Sequence, residues 1–318
     1  MYIEQGYKGD IGLWKFAVLP IGFLGLIVFN YILTVNSPIN TEDAMAAMIA
    51  QLGNNVVLVI LLIPLVVGLF VVLGWTLLVH KQTIRTLTTS RKSIDWRRIF
   101  FAFGLWSVIT IVLVLVDVYF SPDDYLFNFD LKKFIPLSIV AILLIPLQTS
   151  FEEYLFRGHM MQGLGLWAKN RWVPLVITST LFGLMHLANP EVEKLGYGIM
   201  VYYIGTGFFL GILTLMDEGL ELALGFHAAN NLITALLVTA DWTAFQTDSI
   251  YRDVSDPVLG WDVLVPVLVV YPILLFVFAK KYKWSHWKER LTGPVLSQKA
   301  FLALNAPDHE KQQGTSGI

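Results

Sequence analysis

Two adjacent carboxylates and an arginine, Glu152-Glu153-x-x-x-Arg157, lie in a stretch of chain that is otherwise apolar. Ionisable groups in such a stretch cost about 2.5–3.5 kcal/mol each on insertion scales, and they persist where they face a protein interior or a water-filled cavity. On a helix Glu153 and Arg157 are four residues apart, so they share a face and can pair. Glu152 is turned about 100° from that face and is free for other work, such as taking a proton. Taken alone, the motif reads equally well as an ion pair at a helix end, its charged groups snorkelling to the interface.

Two further pairs have the spacing of one helical turn. Phe182-x-x-x-His186 sets an aromatic ring where it can pack on an imidazole. His227-x-x-x-Asn231 puts an imidazole and an amide on one face, while Asn230 falls partly off it. An amide can donate to a developing oxyanion, and a histidine can donate, accept or bind metal. Singly, each pair is explained by a polar bridge between helices. Jointly they point to a shared site, because each polar member lowers the desolvation cost of the others.

The elements that must position these residues follow from composition. The chain has 318 residues, 56% hydrophobic and 14% charged, against about 25% charged in soluble domains. Spanning apolar runs occur near 14–35, 54–79, 99–120, 134–151, 172–188, 197–215, 222–240 and 260–279. The expected fold is all-α, a polytopic membrane bundle of about eight transmembrane helices over residues 1–281, with a cytoplasmic tail at 282–318. Residues 134–240 carry the candidate site. The tail is expected to be disordered from Asn305 to Ile318. Pro136 and Pro146 predict a bend before the acidic motif.

Loop charges orient the chain. Residues 81–98 hold Lys81, Arg85, Arg91, Lys92, Arg97 and Arg98 against Asp95, and the stretch after the last run is also basic. Loops 36–53 and 241–259 are acidic. Both termini are therefore expected in the cytoplasm. Trp14, Trp96, Trp172 and Trp261 fall near span ends, where interfacial aromatics belong. The net charge of −2 carries no nucleic-acid footprint. The chain has no cysteine, which excludes disulfides and thiol catalysis. No Gly-x-Ser-x-Gly elbow and no aspartate pair stands out; Asp117 reads as interfacial. His80, His286 and His309 read as solvated, and His159 as a neighbour of the acidic motif.

Depth is a partial test of convergence. A hairpin turning near Ala168 brings Glu152 and His186 to similar depth, provided the fourth helix continues past Arg157 toward Gly163. His227 lies only about six residues into its span, so tilt or a shifted boundary must bring it level.

The three motifs, in this order on successive membrane helices, resemble the CPBP family. That family covers the CAAX-type prenyl-protein endopeptidases and the bacteriocin-processing or self-immunity membrane proteases. The resemblance covers residues 134–240. It implies an intramembrane endopeptidase in which Glu152, with Glu153 nearby, activates water, while His186, His227 and Asn231 complete the site. Arg157 and Phe182 are read as charge-pairing and supporting residues. The resemblance is compatible with a divalent metal such as zinc on Glu152, His186 and His227, although no His-Glu-x-x-His is present. The reading favours carboxylate-activated water and assigns no certain cofactor. The implied partners are the bilayer and a membrane-associated peptide or protein, prenylated in the CAAX case. The implied location is a bacterial plasma membrane. A non-catalytic scaffold or immunity protein, and a proton-coupled transporter, are the competing functions; the lack of internal repeats weighs against a transporter.

Overall fold

A computed structural model describes residues 1–305. The polar stretch after Asn305 and His309 lie outside the described residues. The protein is a helical bundle. Helix α1 (Leu13–Val35) is followed by the short α2 (Thr41–Leu52) and by α3 (Asn54–Leu78). The short α4 (Ile84–Thr88) precedes α5 (Trp96–Phe120). Helix α6 (Leu131–Glu153) continues through a π-helical turn, Tyr154–Met160, into α7 (Met161–Ala168). Next come α8 (Trp172–Leu184), the short α9 (Pro190–Leu195), α10 (Met200–Asp217) and α11 (Glu221–Leu237). Helix α12 (Trp261–Val265) runs through a second π turn into α13 (Tyr271–Tyr282), and α14 (Trp287–Thr292) and α15 (Gln298–Asn305) complete the described chain.

Among the described residues, 6 helical stretches are long and apolar enough to cross a membrane: 13–35, 54–78, 96–120, 131–168, 190–217 and 263–282. The count differs from about eight because the fifth and seventh runs fold as shorter helices, α8 with 13 residues and α11 with 17. The turn that starts α11 is drawn into the protein. Asp217 and Glu221 flank the α10–α11 turn and are only 3% and 0% exposed. Such a recessed turn needs internal partners for its polar groups. Loop 88–98 supplies them: Leu220 N donates to Thr88 O at 2.8 Å. Arg91 pairs with Asp217 at 2.9 Å and with Glu221 at 3.1 Å, and Arg98 also pairs with Asp217.

The N-terminal segment seals the same end. Tyr2 Oη donates to the carbonyls of Leu87 at 2.6 Å and Arg157 at 3.1 Å. Glu4 pairs with Arg171 at 2.6 Å. Residues 283–305 pack here too, with Val295 and Phe301 buried. His80, expected in solvent, is buried at 1% exposure between Phe16 and His159, because the chain following α3 folds back under α1. His286 is exposed, and Asp117 lies on the surface near the end of α5.

The opposite end holds loops 36–53 and 241–259. The same end carries a small sheet that the sequence did not signal, since its strands are three residues each: β1 (Tyr125–Phe127) before α6, β2 (Val238–Ala240) directly after α11, and β3 (Tyr251–Asp253) within loop 241–259. The order is β1-β3-β2, with β1 antiparallel and β2 parallel to β3.

Small residues set the packing between helices. A Cβ at Gly225 on α11 would run into the carbonyl of Ile99 on α5, and one at Gly207 on α10 into that of Ser179 on α8. Both prolines of α6 lie inside one continuous helix. The departure from α-helical geometry falls directly after Glu153, at the π turn.

Candidate active site

Helix α6 presents a polar face that begins at Gln148. Gln148 Nε2 donates to Glu152 Oε1 at 2.5 Å, the one-turn spacing of a shared face. Asn231 Nδ2 donates to Gln148 Oε1 at 3.3 Å, Asn230 donates to Asn231 at 3.1 Å, and Trp106 Nε1 donates to Asn230 at 3.0 Å. A chain of amides therefore ties α5, α11 and α6 together at the level of Glu152. The sequence reading missed Gln148 and Trp106. The i, i+4 spacing from Gln148 to Glu152 was the available signal.

Glu153 lies in a different environment from its neighbour. It is fully buried, and its Oε1 accepts from Arg157 Nη1 at 3.0 Å and from His227 Nδ1 at 2.8 Å. Arg157 also donates to the carbonyl of Gly207 at 3.1 Å and lies over the Phe182 ring at 4.0 Å. The guanidinium is thereby compensated by a carboxylate, a carbonyl and an aromatic face, as a buried cation requires. Phe182 also packs on His186 at 5.2 Å and on His227 at 5.7 Å.

The imidazoles have defined tautomers because of their partners. His227 Nδ1 must carry the proton it gives to Glu153, which leaves Nε2 facing Glu152 Oε2 at 3.6 Å. A bare lone pair and a carboxylate repel, so one proton or a bridging water belongs between them. His186 Nδ1 donates to the Phe182 carbonyl at 2.9 Å, so its Nε2 is likewise an acceptor in the neutral ring. Tyr203 stacks on His186 with centroids 4.3 Å apart and an 11° interplanar angle. His159 packs instead against Phe16 and His80, at 5.2 and 5.1 Å, and joins none of these groups.

Glu152, His186, His227 and Asn231 line one cavity of about 450 Å³. Glu153 and Arg157 are behind its wall. Phe23, Ile27 and Leu65 form an apolar side, and the cavity reaches β2 and the 240–245 loop. Helix α11 starts at Glu221, where the apolar run places it, and His227 reaches the carboxylates because the turn before that start is itself recessed into the protein. Anchoring one imidazole nitrogen on a carboxylate or carbonyl is also what metal ligands require. Among the described residues, however, no three His, Cys, Asp or Glu side chains are gathered closely enough to hold a metal ion. Glu152, His186 and His227 as placed do not make that set.

Helices that cross a membrane around buried carboxylates, imidazoles and amides define a class: a polytopic membrane protein with an internal acid–base site. The family described as type II CAAX prenyl endopeptidase Rce1-like matches residues 132–233. The uncharacterized protein YyaK of Bacillus subtilis (strain 168) is 33% identical over 239 residues, covering 73% of this chain and 80% of that protein. No solved structure matches. The chain belongs to the Rce1-like family and is an integral membrane protein. The family implies CAAX-type intramembrane protease activity.

Proposed function

We propose that this protein hydrolyses a peptide bond of a membrane-associated or lipidated peptide, using water activated by Glu152. The observation that carries the reading is the division of labour between adjacent carboxylates. Glu153 is committed to Arg157 and His227, while Glu152 faces the cavity beside His227 Nε2. A carboxylate in such a place takes a proton from water as the oxygen attacks the carbonyl carbon. The proton then passes to the departing amine. The amide of Asn231, steadied by Gln148, donates to the oxyanion. His227 holds proton balance between the two carboxylates, and His186 accepts from water or substrate. Glu153, Arg157 and Phe182 are positioning residues.

The apolar wall of Phe23, Ile27 and Leu65 suits an apolar side chain or a prenyl group. The basic loop charges support both termini lying in the cytoplasm, and the likeness to a Bacillus subtilis protein supports a bacterial plasma membrane.

The test is cleavage of quenched-fluorescent peptides by the full chain in nanodiscs, including prenylated CAAX peptides. Glu152→Gln is expected to lower cleavage by at least about 100-fold without changing the elution profile. Cleavage retained at the wild-type rate by that variant rejects the mechanism.

A further inference from the structure

At the far end of the cavity, Glu191 has one carboxylate oxygen engaged and one free. Its Oε1 accepts from the backbone N–H of Ala244 at 2.9 Å. Its Oε2 is buried and has no hydrogen-bond partner. Among the described residues no Lys, Arg or His lies at ion-pairing distance from it; Lys194 is held by Glu42 at 2.7 Å and Arg252 by Asp241. The indole N–H of Trp242 is also buried without an acceptor. Glu191, Trp242, Tyr203 and Asp253 all line the same cavity as Glu152.

An unpaired carboxylate oxygen withdrawn from water is costly, and a cation placed against it recovers that cost. Aromatic rings on the same cavity wall, Trp242 and Tyr203, add attraction for the same charge. Of the other carboxylates on the wall, Glu152 is engaged by Gln148 and Asp253 by Ser255, so the unpaired oxygen of Glu191 would fix the direction in which a peptide lies.

We propose that Glu191, walled by Trp242 and Tyr203, is a subsite for a cationic group of the peptide substrate. The group is a Lys or Arg side chain or a free N-terminal amine. The indole N–H of Trp242 is left to donate to a peptide carbonyl. This rests on the reading of the cavity as a peptide site and names the substrate class it takes.

The test uses the full chain in nanodiscs and three labelled peptides of one parent sequence. One is acetylated with a single lysine, its twin carries norleucine in that place, and the third carries norleucine with a free N-terminus. Binding is titrated with wild type, Glu191→Gln and Glu191→Asp, and cleavage is followed in parallel. One cationic peptide is expected to bind wild type about tenfold more tightly than the acetylated norleucine twin, the equivalent of ~1.4 kcal/mol. Which of the two does so identifies the cation as a side chain or a terminal amine. The ratio falls to near one in Glu191→Gln and partly returns in Glu191→Asp. Equal binding of all three peptides to wild type, or a preference that survives in Glu191→Gln, overturns the subsite. Cleavage without preference sinks the subsite and leaves the proteolytic reading standing. Preference without cleavage keeps the subsite and sinks that reading.

Discussion

At the scale of single residues, the adjacent glutamates are separated by their partners rather than by their chemistry. Removing the base and removing the ion pair should therefore fail differently. Glu152→Gln keeps the amide chain to Gln148 and Asn231, and is expected to lower kcat by about 10²–10⁴-fold with an unchanged unfolding midpoint. Arg157→Ala leaves Glu153 buried beside His227 without its cation. Breaking one half of a buried pair costs about 3–5 kcal/mol, so a lower midpoint in a detergent thermal melt is expected. Arg157→Lys should rescue poorly, because an ammonium cannot reach Glu153, the Gly207 carbonyl and the Phe182 face with the same planar geometry. Treatment with EDTA is expected to leave cleavage unchanged. Loss on chelation with return on added zinc would replace the carboxylate mechanism with a metal-dependent one.

At the scale of elements, the site depends on close helix approach and on two shortened helices. Gly225 and Gly207 let α11 meet α5 and α10 meet α8 backbone to backbone. Gly225→Val or Gly207→Leu is expected to destabilise by about 1–3 kcal/mol or more through overpacking, read as a lower melting midpoint. Activity should fall more than stability for Gly207→Leu, since the Gly207 carbonyl also holds Arg157. The π turn at 154–160 follows the acidic motif immediately, where an added residue re-aims the helix, and such turns are frequent at functional sites. The motif spacings themselves were legible, because i, i+4 geometry is local. The start of α11 was also legible, expected at 222 and found at Glu221, but the way loop 88–98 seals the 217–221 turn before it was not, because those partners are far apart in sequence.

At the scale of the whole molecule, the two ends differ in charge and in what they hold. One end gathers the N-terminal segment, loop 81–98 and residues 283–305. The other carries the acidic loops and the small sheet, and the cavity extends toward it. The absence of cysteine makes orientation directly measurable. A single cysteine at Ser285 should resist an impermeant maleimide in intact cells, and one at Ser37 should react. The reverse pattern overturns the assignment of sides. Arg91 and Arg98 of the basic loop are locked onto buried acids rather than left to the surface.

The residues by themselves determined the class, an all-helical membrane protein, because backbone in lipid must satisfy its hydrogen bonds within each segment. They also determined that Glu153 would pair with Arg157 and leave Glu152 free, because one helical turn settles it. Only the tertiary structure decided that His227 meets Glu153 across 74 positions of sequence, that Gln148 links Glu152 to Asn231, and that Glu191 shares their cavity. Those meetings depend on the depth of a buried turn and on how closely glycine faces let helices approach. Neither property is written in the periodicity of any single segment.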